Sequence, residues 1–243
     1  MTTPLILSVF SCLVYTAFGL AAWYVILKNY NEQKHKFFAW SMFFSSLVVG
    51  FMGVRTLFFG LGYVIWDITF AFVDQICLIF FFIFCGSYAV TSVISREKLA
   101  KIIINFVIIP LSILFFILLA NFVVGIVIKA NPTNLDMVRE LIIQHRSVSE
   151  WGSEYSPSQF TMNIILLLFS IEAFLLLISI LKNLKDRQYR EALFALSLIL
   201  FFTALGFDQT GDYVGWKLLL FRSLNISGAM IAYLAGSSEK IEN

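Results

Sequence analysis

Two histidines, three cysteines and four prolines are spread over 243 residues, and only 13% of the chain is charged. Each shortage excludes something. With His35 and His145 alone, bis-histidine haem ligation inside a bundle is not available, and His and Cys nowhere cluster as a transition-metal site requires. Cys12, Cys77 and Cys85 are an odd number set within apolar runs, so they read as small apolar side chains rather than a disulfide framework. No HExxH, CxxC, GxSxG or glycine-rich phosphate loop occurs, so neither an enzyme mechanism nor a cofactor is indicated. A net charge of +2 is too small and too dispersed for a nucleic-acid partner. Four prolines against twenty-seven phenylalanines exclude collagen-like, disordered and low-complexity chains.

What the chain has in abundance is apolar surface. It is 60% hydrophobic and 17% aromatic, with a mean hydropathy of +0.88, whereas soluble domains are about 45–50% apolar and about 25% charged. A membrane-spanning helix needs about 20 mostly apolar residues. Seven stretches qualify, at about 4–28, 37–59, 65–94, 102–129, 160–182, 191–208 and 214–236. The first lacks a basic leader and is as long as a span, so it reads as a helix rather than a signal peptide. The expected fold is an all-α membrane protein, a single seven-helix domain over residues 1–243.

The short connections orient it. Lys28, Lys34, Lys36, Arg96, Lys98, Lys101, Lys182, Lys185, Arg187, Arg190 and Lys240 fall on one side, eleven of the seventeen basic residues. Lys129, Arg139 and Arg146 fall on the other, balanced by Asp136, Glu140, Glu150 and Glu154. The positive-inside rule therefore predicts an external amino terminus and an internal carboxyl terminus, in a multi-pass protein of the plasma membrane. The inner connections and the tail after Gly236 are too short to hold a catalytic domain, so any signal is expected to pass through a partner protein. The outer loop, 130–159, contains Asn134 as a helix cap ahead of Leu135, Val138, Leu141 and Ile142. That pattern fits either an interfacial helix on the headgroups or a lid over a pocket.

The sequence also repeats. Tyr63-Val64-Ile65-Trp66 and Tyr213-Val214-Gly215-Trp216 open the third and seventh spans, 150 residues apart. The same offset aligns Gln75 with Asn225 and Gly86-Ser87 with Gly236-Ser237. Ile26-Leu27-Lys28-Asn29 matches Ile180-Leu181-Lys182-Asn183, and, with a small shift, Ser41 matches Ser197. The pattern is a 3+1+3 parallel repeat: repeat one at about 4–94, a linking helix at about 102–129 and repeat two at about 160–236. A site is expected where two such halves meet. Small residues at Gly228, Ala232 and Gly236, and at Ser46, Gly50 and Gly53, give faces on which helices can pack closely.

The seven-helix outline is similar to that of retinal-binding opsins, which carry a Schiff-base lysine near the middle of the seventh helix. Here Lys217 stands at its outer end and Asn225, Ile226 and Ser227 hold the middle, so covalent retinal is not expected. The 3+1+3 outline is also similar to that of sugar transporters that rely on prolines within the repeated spans. The proline well inside a span here is Pro110, on the linking helix. Outline alone carries neither function across.

Ionisable residues deep in a span are functional candidates because each costs about 2.5–3.5 kcal/mol to insert. Arg55, Asp74, Glu172 and Arg222 are the deep set, with Asn225 one turn below Arg222; Asp67, Asp208, Asp212 and Lys217 lie nearer the interface and read as solvated or snorkelling. All sit in the outer half or near the midplane. An outward-facing polar pocket lined by the second, third, fifth, sixth and seventh spans accounts for that asymmetry. Its expected ligand-binding residues are Arg55, Asp74, Glu172, Arg222 and Asn225, rimmed by Trp66 and Trp216; the two tryptophans, with Tyr63 and Tyr213, also fit an interfacial belt. By charge, Arg55 with Asp74 and Arg222 with Glu172 are possible structural pairs. Three functions follow. The leading one is a sensor or ligand-binding protein for a small polar ligand or ion. The alternative is a secondary transporter or proton-coupled channel with Glu172 and Asp74 titrating and Phe80, Phe81, Phe82 and Phe84 as an inner gate. The third is an accessory subunit of a membrane complex.

Overall fold

The computed structural model describes residues 3–114, 116–117, 146–149, 152–155, 159–209 and 216–237. The helices are α1 (Thr3–Asn29), α2 (Gln33–Gly60), α3 (Val64–Val93), α4 (Glu97–Ile103), α5 (Gln159–Lys185), α6 (Tyr189–Gln209) and α7 (Trp216–Ser237). A π-helical turn, Ile104–Ile108, continues α4 and is followed by further helix through 114. Five helices, α1, α2, α3, α5 and α7, are long and apolar enough to cross a membrane. The helices begin and end within a few residues of the apolar stretches, because charged and turn-forming residues bound each stretch. Gly62, at φ +79°, takes the left-handed position that closes α2, where a side chain is disfavoured.

Among the described residues the fold is helical, as expected, apart from one short hairpin. Strands β1 (Arg146–Ser149) and β2 (Gly152–Tyr155) pair antiparallel, Ser149 opposite Gly152, and β2 lies against α2. The hairpin occupies the second half of the predicted outer loop; the helix expected after Asn134 falls outside the described residues.

Neighbouring helices form a closed circuit: α1 packs on α2, α2 on α3, α3 on α5, α5 on α6, α6 on α7, and α7 back on α1. Helix α4 and its π-helical turn lie against α3. Rings fill the middle. Phe38 and Phe194 meet at 4.7 Å, Phe81 and Phe201 at 4.8 Å, and Phe169 and Phe202 at 4.9 Å. Of the four expected gate residues, Phe81 and Phe82 are fully buried in this core, whereas Phe80 is 43% exposed and stacks on Phe44.

Small residues set the closest crossings. A Cβ on Gly228 would lie 2.8 Å from the Ser197 carbonyl oxygen, and one on Gly236 2.6 Å from Ile26 Cγ1. Helix α7 thus touches α6 almost backbone to backbone at Gly228 and receives the Ile26 side chain of α1 at Gly236, as its small-residue face leads one to expect. The three cysteines are free and buried.

The α1 and α5 ends each cap another helix. Asn29 Nδ2 donates to the Gly236 carbonyl at 2.9 Å and Tyr30 Oη to that of Ala235 at 3.3 Å. Lys182 Nζ donates to the Ser92 and Val93 carbonyls at 3.4 and 3.3 Å. Both sets satisfy carbonyls that a helix C-terminus leaves without an internal partner, and the lysine also complements the negative end of the α3 dipole.

Candidate functional site

Three polar positions interrupt the apolar core. The first joins α2 to α3. Arg55 Nη1 donates to Asp74 Oδ2 at 2.8 Å, and Arg55 Nε lies 3.5 Å from Asp67 Oδ1. Asp67 and Asp74 are seven residues apart, nearly two helical turns, so one guanidinium spans both. The pairing of Arg55 with Asp74 is the one charge balance suggests. Asp67 departs from expectation: its side chain is fully buried rather than solvated at an interface, because the end of α2 folds over the first turn of α3. Breaking a buried ion cluster by removing one partner is strongly destabilising, so this tie holds α2 to α3.

The second position is Glu172 on α5. It is fully buried. Apart from the Cys85 thiol alongside it, neither oxygen of its carboxyl meets a hydrogen-bonding partner among the described residues. Gly86 makes room for it: a Cβ there would lie 2.8 Å from Glu172 Oε1 and 2.8 Å from Ile108 Cγ2, at the end of the π-helical turn. The proposed pairing of Glu172 with Arg222 is not made, because α5 faces α3 while α7 faces α1 and α6.

The third position is a narrow cleft where α1, α2 and α7 meet, lined by Ser11, Cys12, Tyr15, Val49, Met52, Arg222 and Asn225. Arg222 Nη1 donates to the Ser8 carbonyl at 2.9 Å, to Ser8 Oγ, and to Ser11 Oγ at 3.3 Å. Asn225, one turn along α7, is buried, and its Oδ1 meets no hydrogen-bond partner among the described residues. At the base of the cleft Tyr15 Oη donates to Ser45 Oγ at 2.8 Å. A guanidinium and an unsatisfied amide oxygen thus share one polar wall, facing apolar Val49 and Met52.

The expected site residues are therefore distributed rather than gathered. Arg222 and Asn225 line the cleft, Arg55 and Asp74 form a tie, and Glu172 stands against α3. Helix α1, which the sequence reading left out of the lining, supplies three of its residues. Trp66 is 53% exposed and stacks on Phe58 at 6.0 Å, a placement that fits an interfacial belt. Trp216 opens α7, but its side chain, with those of Asp208 and Lys217 and all of Asp212 and Tyr213, lies outside the described residues. His35, read as a loop residue, is in the first turn of α2, buried, with Nε2 2.6 Å from Glu191 Oε1. No metal-binding cluster of His, Cys, Asp and Glu occurs among the described residues.

Comparisons with protein-family models, with curated proteins and with solved structures find no match to this chain.

Proposed function

We propose that the chain is a seven-helix integral membrane protein of the plasma membrane, amino terminus outside, that binds a small polar ligand between α1, α2 and α7. The cleft there, as it stands, holds about 10 Å³, room for about one water, and widens to admit the ligand. The observation that carries this reading is Asn225: a buried amide oxygen without a partner, one turn from a guanidinium, is complementary to a ligand bearing both an acidic group and an N–H or O–H donor. Buried polar groups are normally satisfied, so an exception calls for a partner. In this reading any response passes through a partner protein, since the connections assigned to the inner side are short.

The parallel repeat is supported by the helix circuit. Under a twofold that exchanges α1 with α5 and α3 with α7, the α1–α7 contact becomes the α5–α3 contact, and both occur. The two helix-capping arrangements at the α1 and α5 ends exchange in the same way. The count of seven is supported by α4, whose described part is the start of the predicted linking span. The orientation rests on the lysine and arginine distribution.

Thermal unfolding in detergent against a panel of small carboxylates carrying amino or hydroxyl groups tests the binding reading. A member that raises the wild-type melting temperature, but not that of Arg222→Gln or Asn225→Leu, supports it. A panel without effect on wild type, or an effect kept by both variants, refutes it.

Glu172 favours a second reading, a proton-coupled transporter or channel. A carboxyl buried with only a thiol beside it is costly unless it has a role. In proteoliposomes holding a pH-sensitive dye, this reading predicts proton flux that Glu172→Gln abolishes and Arg222→Gln preserves.

A further inference from the structure

Helix α4 runs into the π-helical turn Ile104–Ile108 before ordinary helix resumes. There the Ile109 N–H bonds the Ile104 carbonyl, five residues back instead of four. Such turns are rare and occur mostly at functional sites. This one lies beside Glu172. Its inner face presents Ile104 and Ile108, both buried and Ile108 completely so, whereas Phe106 is 76% exposed and Val107 is exposed beside it. The turn is therefore one layer thick.

Gly86 on α3 is where carboxyl and turn meet. A Cβ there would lie 2.8 Å from both Glu172 Oε1 and Ile108 Cγ2, so the two side chains converge on the one bare point of α3. Leu175, three residues beyond Glu172 on α5, packs against the cluster that Ile104 and Ile108 form with Val90 and Ala100. Among the described residues, the titratable group against the carboxyl is the Cys85 thiol on α3; the turn meets it with the apolar Ile108. A carboxyl enclosed in this way exchanges no proton until something moves. The turn is the element built to move. A π-bulge travels along its helix by trading one backbone hydrogen bond for the next, and a residue that it passes rotates by about 100° relative to the helix behind it. Passing the bulge from Ile108 to Ile109 costs no net hydrogen bond and swings the isoleucine off Gly86.

We propose that the π-helical turn is a moving cover over Glu172, with Ile108 as its plug, and that one step of the bulge opens the carboxyl to proton exchange. The proposal rests on the proton-coupled reading of Glu172 and names the element that gates it.

The test is modification of Glu172 by dicyclohexylcarbodiimide, an apolar reagent for buried carboxylic acids, in the full chain in detergent and read by mass spectrometry. Wild type is expected to label slowly. Ile108→Ala, which strips three buried carbons from the plug, is expected to label about tenfold faster or more. Deletion of Phe106 closes the turn into plain α-helix; that chain is expected to keep its melting temperature and to resist labelling. Phe194→Ala, a comparable core deletion at the α2–α6 contact, is expected to label as slowly as wild type. A wild type that never labels, an Ile108→Ala no faster than Phe194→Ala, or a Phe106-deleted chain labelled at the wild-type rate or above each overturns the cover. Proton flux in proteoliposomes separates the two failures: the expected labelling without flux removes the transport reading and leaves the cover, and flux without that labelling does the reverse.

Discussion

Phe38 and Phe194 meet in a tilted ring contact with centroids 4.7 Å apart, and each has its own carbonyl oxygen bound by a serine three residues on: Ser41 Oγ at 2.6 Å and Ser197 Oγ at 2.7 Å. The two phenylalanines stand in the same offset as Ser41 and Ser197. One turn earlier on each helix, His35 and Glu191 keep that offset and also meet. Positions that the proposed repeat makes equivalent therefore face each other between α2 and α6. Phe38→Ala and Phe194→Ala are each expected to cost about 3–5 kcal/mol, as buried ring deletions do. The double variant should cost less than their sum, because the two rings share one contact. Chemical unfolding of the four proteins in one detergent measures both.

The Arg55 tie makes a prediction of opposite sign for single and multiple changes. Arg55→Met should destabilise by about 3–5 kcal/mol, since it removes the guanidinium that both buried carboxylates face. Adding Asp67→Leu and Asp74→Leu to it should recover most of that loss, because apolar replacement of a whole buried ion cluster is often neutral or better. The same unfolding assay decides.

Gly86 and Gly236, which the proposed repeat makes equivalent, both sit where a Cβ would meet a neighbour closer than 3 Å. Gly86→Ala and Gly236→Ala should each lower stability by about 1–3 kcal/mol through overpacking. Removing the obstructing Cγ1, as Ile26→Ala with Gly236→Ala does, should make the double variant cost less than the sum of the two single changes; an additive result would contradict the packing seen here.

Tyr30→Phe removes the hydroxyl that caps the Ala235 carbonyl and accepts from Arg190. A loss of about 0.5–1.5 kcal/mol is expected from an ordinary hydrogen bond. Faster amide exchange in the last turn of α7, with α3 unaffected, would locate it.

Much of this was legible before any coordinates. Apolar stretches set the helices within a few residues, because a run of Leu, Ile and Phe bounded by Lys, Asn or Gly leaves little choice of where a helix lies. The Arg55–Asp74 pair was also legible, since opposite charges at matching depth on consecutive helices can meet across one short turn. Glu172 and Arg222 invited the same argument and it failed, because their meeting depends on which helices become neighbours, and no local pattern encodes the circuit. Asp67 was misread for want of rotation: its distance from the helix end suggests solvent, but the face it shares with Asp74 turns it toward Arg55. That seven-residue spacing was the available signal. Helix α1 went unnoticed as a pocket wall because it carries no deep charge; Ser8 and Ser11 contribute only hydroxyls and one carbonyl.

The claim that the α1–α2–α7 cleft is entered from outside the cell is tested most directly by thiol labelling in intact cells. Ser11→Cys and Asn225→Cys are introduced singly after Cys12, Cys77 and Cys85 have been replaced. A membrane-impermeant thiol reagent is expected to modify both positions from the medium. If both stay unmodified in intact cells yet react once the protein is unfolded, the cleft is sealed and the ligand-binding account is wrong.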